Sequence, residues 1–81
     1  MRIIFSERAL RDYRRLSKEL QRKVDKQLFL LLRNFLHPSL RAKKYDEARD
    51  IWQARVNEGY RFYFQIRNST FYIITIIKHP K

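Results

Sequence analysis

Hydrophobic and polar positions change rhythm twice along this chain. From Ala9 the apolar residues Ala9, Leu10, Tyr13 and Leu16 recur at helical spacing, and so do Leu20, Val24, Leu28, Leu31, Leu32 and Phe35. Ser6 and Ser17 stand where a side-chain oxygen caps the first amides of a helix, and Glu7 suits the positive end of the first one. Two helices follow, the second closed by Pro38, which disfavours helical geometry at His37. The run Phe29-Leu30-Leu31-Leu32 widens the apolar stripe and predicts cover on more than one side. His37 is read as structural, a cation at the negative end of that helix.

Past residue 50 the period becomes two. Tyr60, Phe62, Phe64 and Ile66 share one strand face, while Arg61, Tyr63, Gln65 and Arg67 share the other. Before them, Trp52, Ala54 and Val56 alternate with Ile51, Gln53 and Arg55. Asn57-Glu58-Gly59 and Asn68-Ser69 supply the turns. Strands are predicted at about residues 2–5, 51–56, 60–67 and 71–78, the last apolar at nearly every position and hence central. Residues 38–50 read as a loop carrying Arg41, Lys43 and Lys44, then Asp46, Glu47 and Asp50. The order is β-α-α-β-β-β: an α+β fold with two N-terminal helices on one face of a mostly antiparallel four-stranded sheet.

Charge adds a partner to this outline. With 19 Lys and Arg against 8 acidic residues, the net charge of +11 repels itself in a compact chain and calls for an acidic or polyanionic partner. At 81 residues there is room for one domain. The chain has no Cys, which excludes disulfides, thiolate metal sites and Cys nucleophiles and fits a reducing cytoplasm. Two His and scattered carboxylates form no metal constellation, and no cofactor motif is visible. No apolar run approaches a membrane span, and the run after Met1 is too short for a signal peptide. Asn68-Ser69-Thr70 fits a glycosylation pattern but is read as a turn.

The element order, the stretch Trp52 to Arg67 with its aromatic-x-x-Arg-Val strand and Gly-Tyr-Arg turn exit, the opening Ser6 to Leu16, and the basic stretch Pro38 to Lys44 together resemble the RelE/ParE toxin superfamily of bacterial and archaeal toxin–antitoxin systems. The resemblance spans essentially the whole chain and implies a single toxin domain over residues 1–81. It implies one of two activities. RelE-like members cut messenger RNA in the ribosomal decoding site without metal or cofactor; ParE-like members bind DNA gyrase and block it. Both have a cognate antitoxin as partner.

Carried over by position, Arg61 matches the Arg that contacts the scissile phosphate, and its forked guanidinium suits two non-bridging oxygens. Arg55 stands where these nucleases commonly hold a Lys, and His79 where a further catalytic Arg or His lies. An imidazole is a side chain that suits general acid or base work. Lys43, Lys44, Arg67, Lys78 and Lys81 are candidate RNA-binding cations, and Tyr63 a candidate stacking platform. Trp52 and Tyr60 are read as packing. Gln53 replaces another Lys of the nuclease pattern. The sequence ends at Lys81, before the segment that carries a stacking Tyr or Phe in several nucleases. These two departures keep the gyrase alternative open.

Overall fold

The computed structural model describes residues 1–79. β1 (Arg2–Phe5) leads into α1 (Glu7–Arg15) and α2 (Lys18–Arg33); a 3-10 turn (Pro38–Leu40) follows, then β2 (Lys43–Asp46), β3 (Ile51–Arg55), β4 (Tyr60–Arg67) and β5 (Thr70–Lys78). The strands form one sheet in the order β1-β5-β4-β3-β2. Only β1 runs parallel to its neighbour.

The sheet therefore has five strands where the pattern predicts four. The added one, Lys-Lys-Tyr-Asp, carries no apolar alternation, so nothing in its sequence separates it from a loop. It is a short, lysine-bearing edge strand, a common way of discouraging further strand pairing. β5 is central, as its near-continuous apolar run predicts.

Both caps form as expected. Ser6 Oγ accepts from the Ala9 amide at 3.0 Å, and Ser17 Oγ from that of Leu20 at 3.2 Å. α2 stops at Arg33 rather than running up to Pro38. Asn34 Oδ1 accepts from the Leu36 amide, a local alternative to helix, and Pro38 opens the 3-10 turn instead. His37 is accordingly not at the helix end. Its Nδ1 accepts from the Ser39 amide at 3.1 Å, so it caps the 3-10 turn, and the expected role at the end of α2 does not apply.

One face of the sheet meets the helices. Ala54, Val56, Phe62, Phe64, Phe71, Ile73 and Ile76 form a core with Ala9, Val24, Leu28 and Leu31. Trp52 stacks on Phe64 and meets Phe35 edge-on, and Tyr60 packs against the same core. α2 is covered on one side only: Phe29 and Leu32, expected to be buried by the wide stripe, stay exposed.

α1 completes the sheet where β1 ends. β1 pairs with β5 only as far as Phe5↔Ile73. Beyond it, Ser6 Oγ donates to the Ile74 carbonyl at 2.7 Å, while Asp12 Oδ2 accepts from the Ile76 amide at 3.0 Å and from Thr75 Oγ1 at 2.7 Å. Two helix side chains thus satisfy groups that a longer strand would have paired.

Candidate functional site

The face of the sheet away from the core carries the chemistry. Directly opposed residues in an antiparallel pair share a face. The pairs Arg55↔Arg61, Gln53↔Tyr63 and Lys43↔Gln53 therefore line one surface, opposite the surface of Ala54↔Phe62. Arg55 ends β3 and Arg61 begins β4, so both guanidiniums stand at one end of the sheet.

Placing like charges directly across a ladder is unfavourable, and the local structure holds Arg61 there. Its Nη1 donates to the carbonyls of Asn57 at 2.6 Å, Tyr60 at 3.0 Å and Glu58 at 3.3 Å. The turn is organised by Asn57, whose Oδ1 accepts from the amides of Gly59 and Tyr60, each at 2.8 Å. Gly59 does not adopt a positive φ, so its lack of a side chain is not what makes the turn. The Arg61 guanidinium loses basicity through burial first, then through the charges of Arg55 and Arg41, partly countered by Tyr63. Arg55 has a weak ion-pair partner, the exposed Glu58 at 3.9 Å.

His79 follows β5 and donates its backbone N–H to the Gly59 carbonyl at 2.7 Å. Ile77 pairs with Arg61, so His79 lies diagonally across from Arg61, with about 7–8 Å expected between Cα atoms for such neighbours. Its Nδ1 is buried without a hydrogen-bond partner among the described residues. The ends of β3, β4 and β5 thus bring Arg55, Arg61 and His79 to one corner of the sheet. That corner offers donors for a phosphate and a ring for proton transfer.

Not every candidate joins it. Lys44 pairs with Trp52 on the opposite, helix-side surface, with Nζ 2.6 Å from Asp50 and 5.0 Å from the centre of the Trp52 ring. The hydrogen bond to Asp50 is the main reason its ammonium pKa is raised. Lys43 does face the site surface but stands on the edge strand. Arg67 lies six residues along β4 from Arg61, about 20 Å at strand rise, and packs over Tyr72 with Nη2 on Gln65. Lys78 pairs with Tyr60 and so shares the helix-side register, at the same end of the sheet. Lys81 lies outside the described residues.

Tyr63 is buried, and its hydroxyl accepts from Gln53 Nε2 at 2.8 Å. It braces the sheet and leaves no ring face for a base. Gln53 thus anchors this tyrosine. Tyr45 meets the Tyr63 ring edge-on at 4.9 Å and remains 62% exposed. It is the aromatic that the sequence pattern did not single out, because it belongs to the strand read as loop. A shallow cavity of about 320 Å³ runs along this surface, lined by Arg8, Tyr45, Tyr63, Thr75 and Ile77. Arg41 was legible only as part of a basic stretch; its left-handed backbone, φ 46°, directs it from the 3-10 turn to the Arg55 side of the sheet. Among the described residues no group of three His, Cys, Asp or Glu converges as a metal site requires, and no helix is long and apolar enough to cross a membrane.

Known structures share this architecture. A YoeB/ParE toxin from Agrobacterium tumefaciens superposes with a TM-score of 0.83 at 15% identity, covering 99% of this chain and 100% of that one. The toxin fold in a YoeB-YefM complex from Staphylococcus aureus gives 0.79 at 22% identity, with 96% and 95% covered. The isolated RelE toxin of E. coli gives 0.77 at 24% identity, with 98% and 84% covered. Compared by sequence alone, the chain matches none of the curated proteins. At these identities the structural likeness speaks to the fold. The sequence model of the ParE toxin of type II toxin-antitoxin systems, by contrast, matches residues 3–81. The chain therefore belongs to the ParE toxin family of type II toxin–antitoxin systems.

Proposed function

We propose that this toxin is a ribosome-dependent endoribonuclease that cleaves messenger RNA and arrests translation. The observation that carries this reading is the opposed pair Arg55↔Arg61 with His79 beside it, at one corner of the sheet. In the proposed reaction the 2′-hydroxyl attacks the adjacent phosphorus, the P–O5′ bond breaks, and a 2′,3′-cyclic phosphate and a 5′-hydroxyl result. Arg61 meets the charge that builds on the non-bridging oxygens through the guanidinium nitrogens its turn leaves free. Arg55 orients the phosphate. A guanidinium stays protonated and makes a poor base, so proton transfer falls to His79, with the ribosome supplying the substrate conformation. Tyr45 takes the stacking role first assigned to Tyr63. The reaction draws on no metal or cofactor. A cognate antitoxin neutralises the toxin, and the site is cytoplasmic, where ribosomes are.

The family match itself favours a second reading, in which the chain binds DNA gyrase and inhibits it without cutting RNA. Two measurements separate them. Induced expression followed by a labelled-amino-acid pulse gives rapid translation arrest with truncated messenger under the first reading. Purified toxin inhibits gyrase supercoiling, and translation continues, under the second. Arrest that persists undiminished in both Arg61→Ala and His79→Ala would sink the nuclease assignment.

A further inference from the structure

Around the corner from Arg61, between α2, the 3-10 turn and the end of β3, lies a cavity of about 510 Å³. Its charged lining is Lys23, Lys26, Arg41 and Arg55, with no acidic side chain among the residues that line it. Lys23 and Lys26 are three apart on α2 and so share a helix face. None of Lys23, Lys26 or Arg41 has an ion-pair partner among the described residues.

The floor is rigid. Gln27 is buried, and its Nε2 donates to the carbonyls of Arg55 at 2.8 Å and Ser39 at 3.2 Å. One amide therefore pins helix, turn and strand together beneath four cations, of which only Arg55 has an acidic neighbour among the described residues, the exposed Glu58 at 3.9 Å. Such a concentration of one sign, in a concave and partly apolar setting, holds its own repulsion until an anion arrives. Arg55 belongs both to this cavity and to the opposed pair on the sheet. A strand whose phosphate lies on Arg55 and Arg61 is thus led into the cavity by the next turn of its backbone.

We propose that this cavity is a second phosphate site, which holds the nucleic-acid backbone flanking the cleaved position through Lys23, Lys26 and Arg41. The proposal deepens the ribonuclease reading and rests on it for the direction of the strand. The volume and the mixed lining of cations with Pro38 and Val56 suit a phosphate and its attached ribose. Lysines act here as point charges on long stems, so they add affinity without selecting sequence.

The test uses a single-stranded RNA oligonucleotide fully 2′-O-methylated to prevent cleavage, with binding followed by fluorescence anisotropy from low to moderate salt. Lys23→Gln with Lys26→Gln is compared with Arg11→Gln with Arg15→Gln, which removes an equal charge from the exposed side of α1. Single-stranded phosphates contribute about 0.7 each to the slope of log affinity against log salt. The Lys23/Lys26 pair is expected to flatten the slope by about 1.4 if each lysine neutralises one phosphate, and the Arg11/Arg15 pair by much less. Equal losses from both pairs mean diffuse attraction and overturn the proposal. So does a lysine pair that weakens only the antitoxin complex and leaves oligonucleotide binding intact. Messenger cleavage by the wild-type chain keeps the two claims apart. Cleavage with unchanged KM in the lysine double variant refutes the cavity alone, whereas absent cleavage with lysine-dependent oligonucleotide binding refutes the nuclease reading alone.

Discussion

Arg61→Ala separates what the side chain does for the fold from what it does for the reaction. In the fold it gives three donations from one nitrogen. The Tyr60 carbonyl keeps the amides of Val56 at 3.0 Å and Asn57 at 3.4 Å, and the Glu58 contact is exposed. The real loss is thus the Asn57 carbonyl and part of a shared acceptor, about 1–2 kcal/mol at ordinary hydrogen-bond values. Removing one of two opposed cations returns roughly 0.2–1 kcal/mol. The net destabilisation is about 1 kcal/mol, or a Tm lowered by about 4–8 °C for a domain of this size. Loss of a positioned donor in the transition state costs about 100- to 1,000-fold in rate. Cell-free translation with a defined messenger, read by the 5′ ends of the fragments, measures that loss, and a thermal melt confirms that the variant is folded. Arg61→Lys keeps the charge but not the fork and should fall between the two. Cleavage by Arg61→Ala within threefold of wild type, at an unaltered cleavage position, would refute the argument.

Three further outcomes follow from the scaffold. Asp12→Ala leaves the Ile76 amide without its acceptor and should cost about 2–3 kcal/mol in urea unfolding, as a hydrogen bond to a charged group does, whereas Asp12→Asn retains an acceptor and should lose about half as much. Gly59→Ala should be neutral or stabilise by up to about 1 kcal/mol through the unfolded chain, since the backbone needs no positive φ there and the new Cβ meets only Asn57 Oδ1 at 3.7 Å. Tyr13→Phe tests a titration. The Tyr13 hydroxyl donates to Asp25 at 2.7 Å, and that hydrogen bond, then burial, then the Asp25 charge raise its pKa above 10.0. The resulting stability is complete below the unfolded pKa and is lost as pH rises through the higher folded one. Wild type should therefore exceed Tyr13→Phe in stability at pH 7, and the gap should close in strongly alkaline buffer.

Where residues announce themselves by burial, the sequence was legible. The caps at Ser6 and Ser17, the alternation from Tyr60 to Arg67 and the apolar run of β5 each follow from one local rule, and the structure obeys all three. The failures are at places where a side chain answers a distant one. β2 is a strand because β3 offers it an edge, not because Lys-Lys-Tyr-Asp prefers one. Tyr63 is buried and Tyr45 exposed, with Gln53, ten residues from Tyr63, donating to the Tyr63 hydroxyl. Lys44 left the basic set because Asp50 and the Trp52 ring hold it on the other face. Arg41 was visible only as a charge; its place beside Arg55 depends on a left-handed residue after a 3-10 turn, for which a lone Arg gives no signal.

The distribution of charge compensation ties scaffold to function. Most of the acidic residues that pair do so around the connection between β2 and β3, where Asp46, Glu47 and Asp50 take Arg49 and Lys44, while Asp12 and Asp25 serve an amide and a hydroxyl. At the end of the sheet the exposed Glu58 stands 3.9 Å from Arg55, and Arg61 has no carboxylate partner among the described residues. A fold seeking only stability would interleave signs at Arg55 and Arg61, since opposed like charges weaken a ladder. This one fixes Arg61 with neutral carbonyls, which hold the guanidinium without cancelling its charge. A carboxylate in their place would bind it more strongly and would also occupy the ground on which a phosphate lands in the proposed reaction. Under the proposed function the corner is thus held ready for an anion, whose binding would relieve the mutual repulsion of Arg41, Arg55 and Arg61.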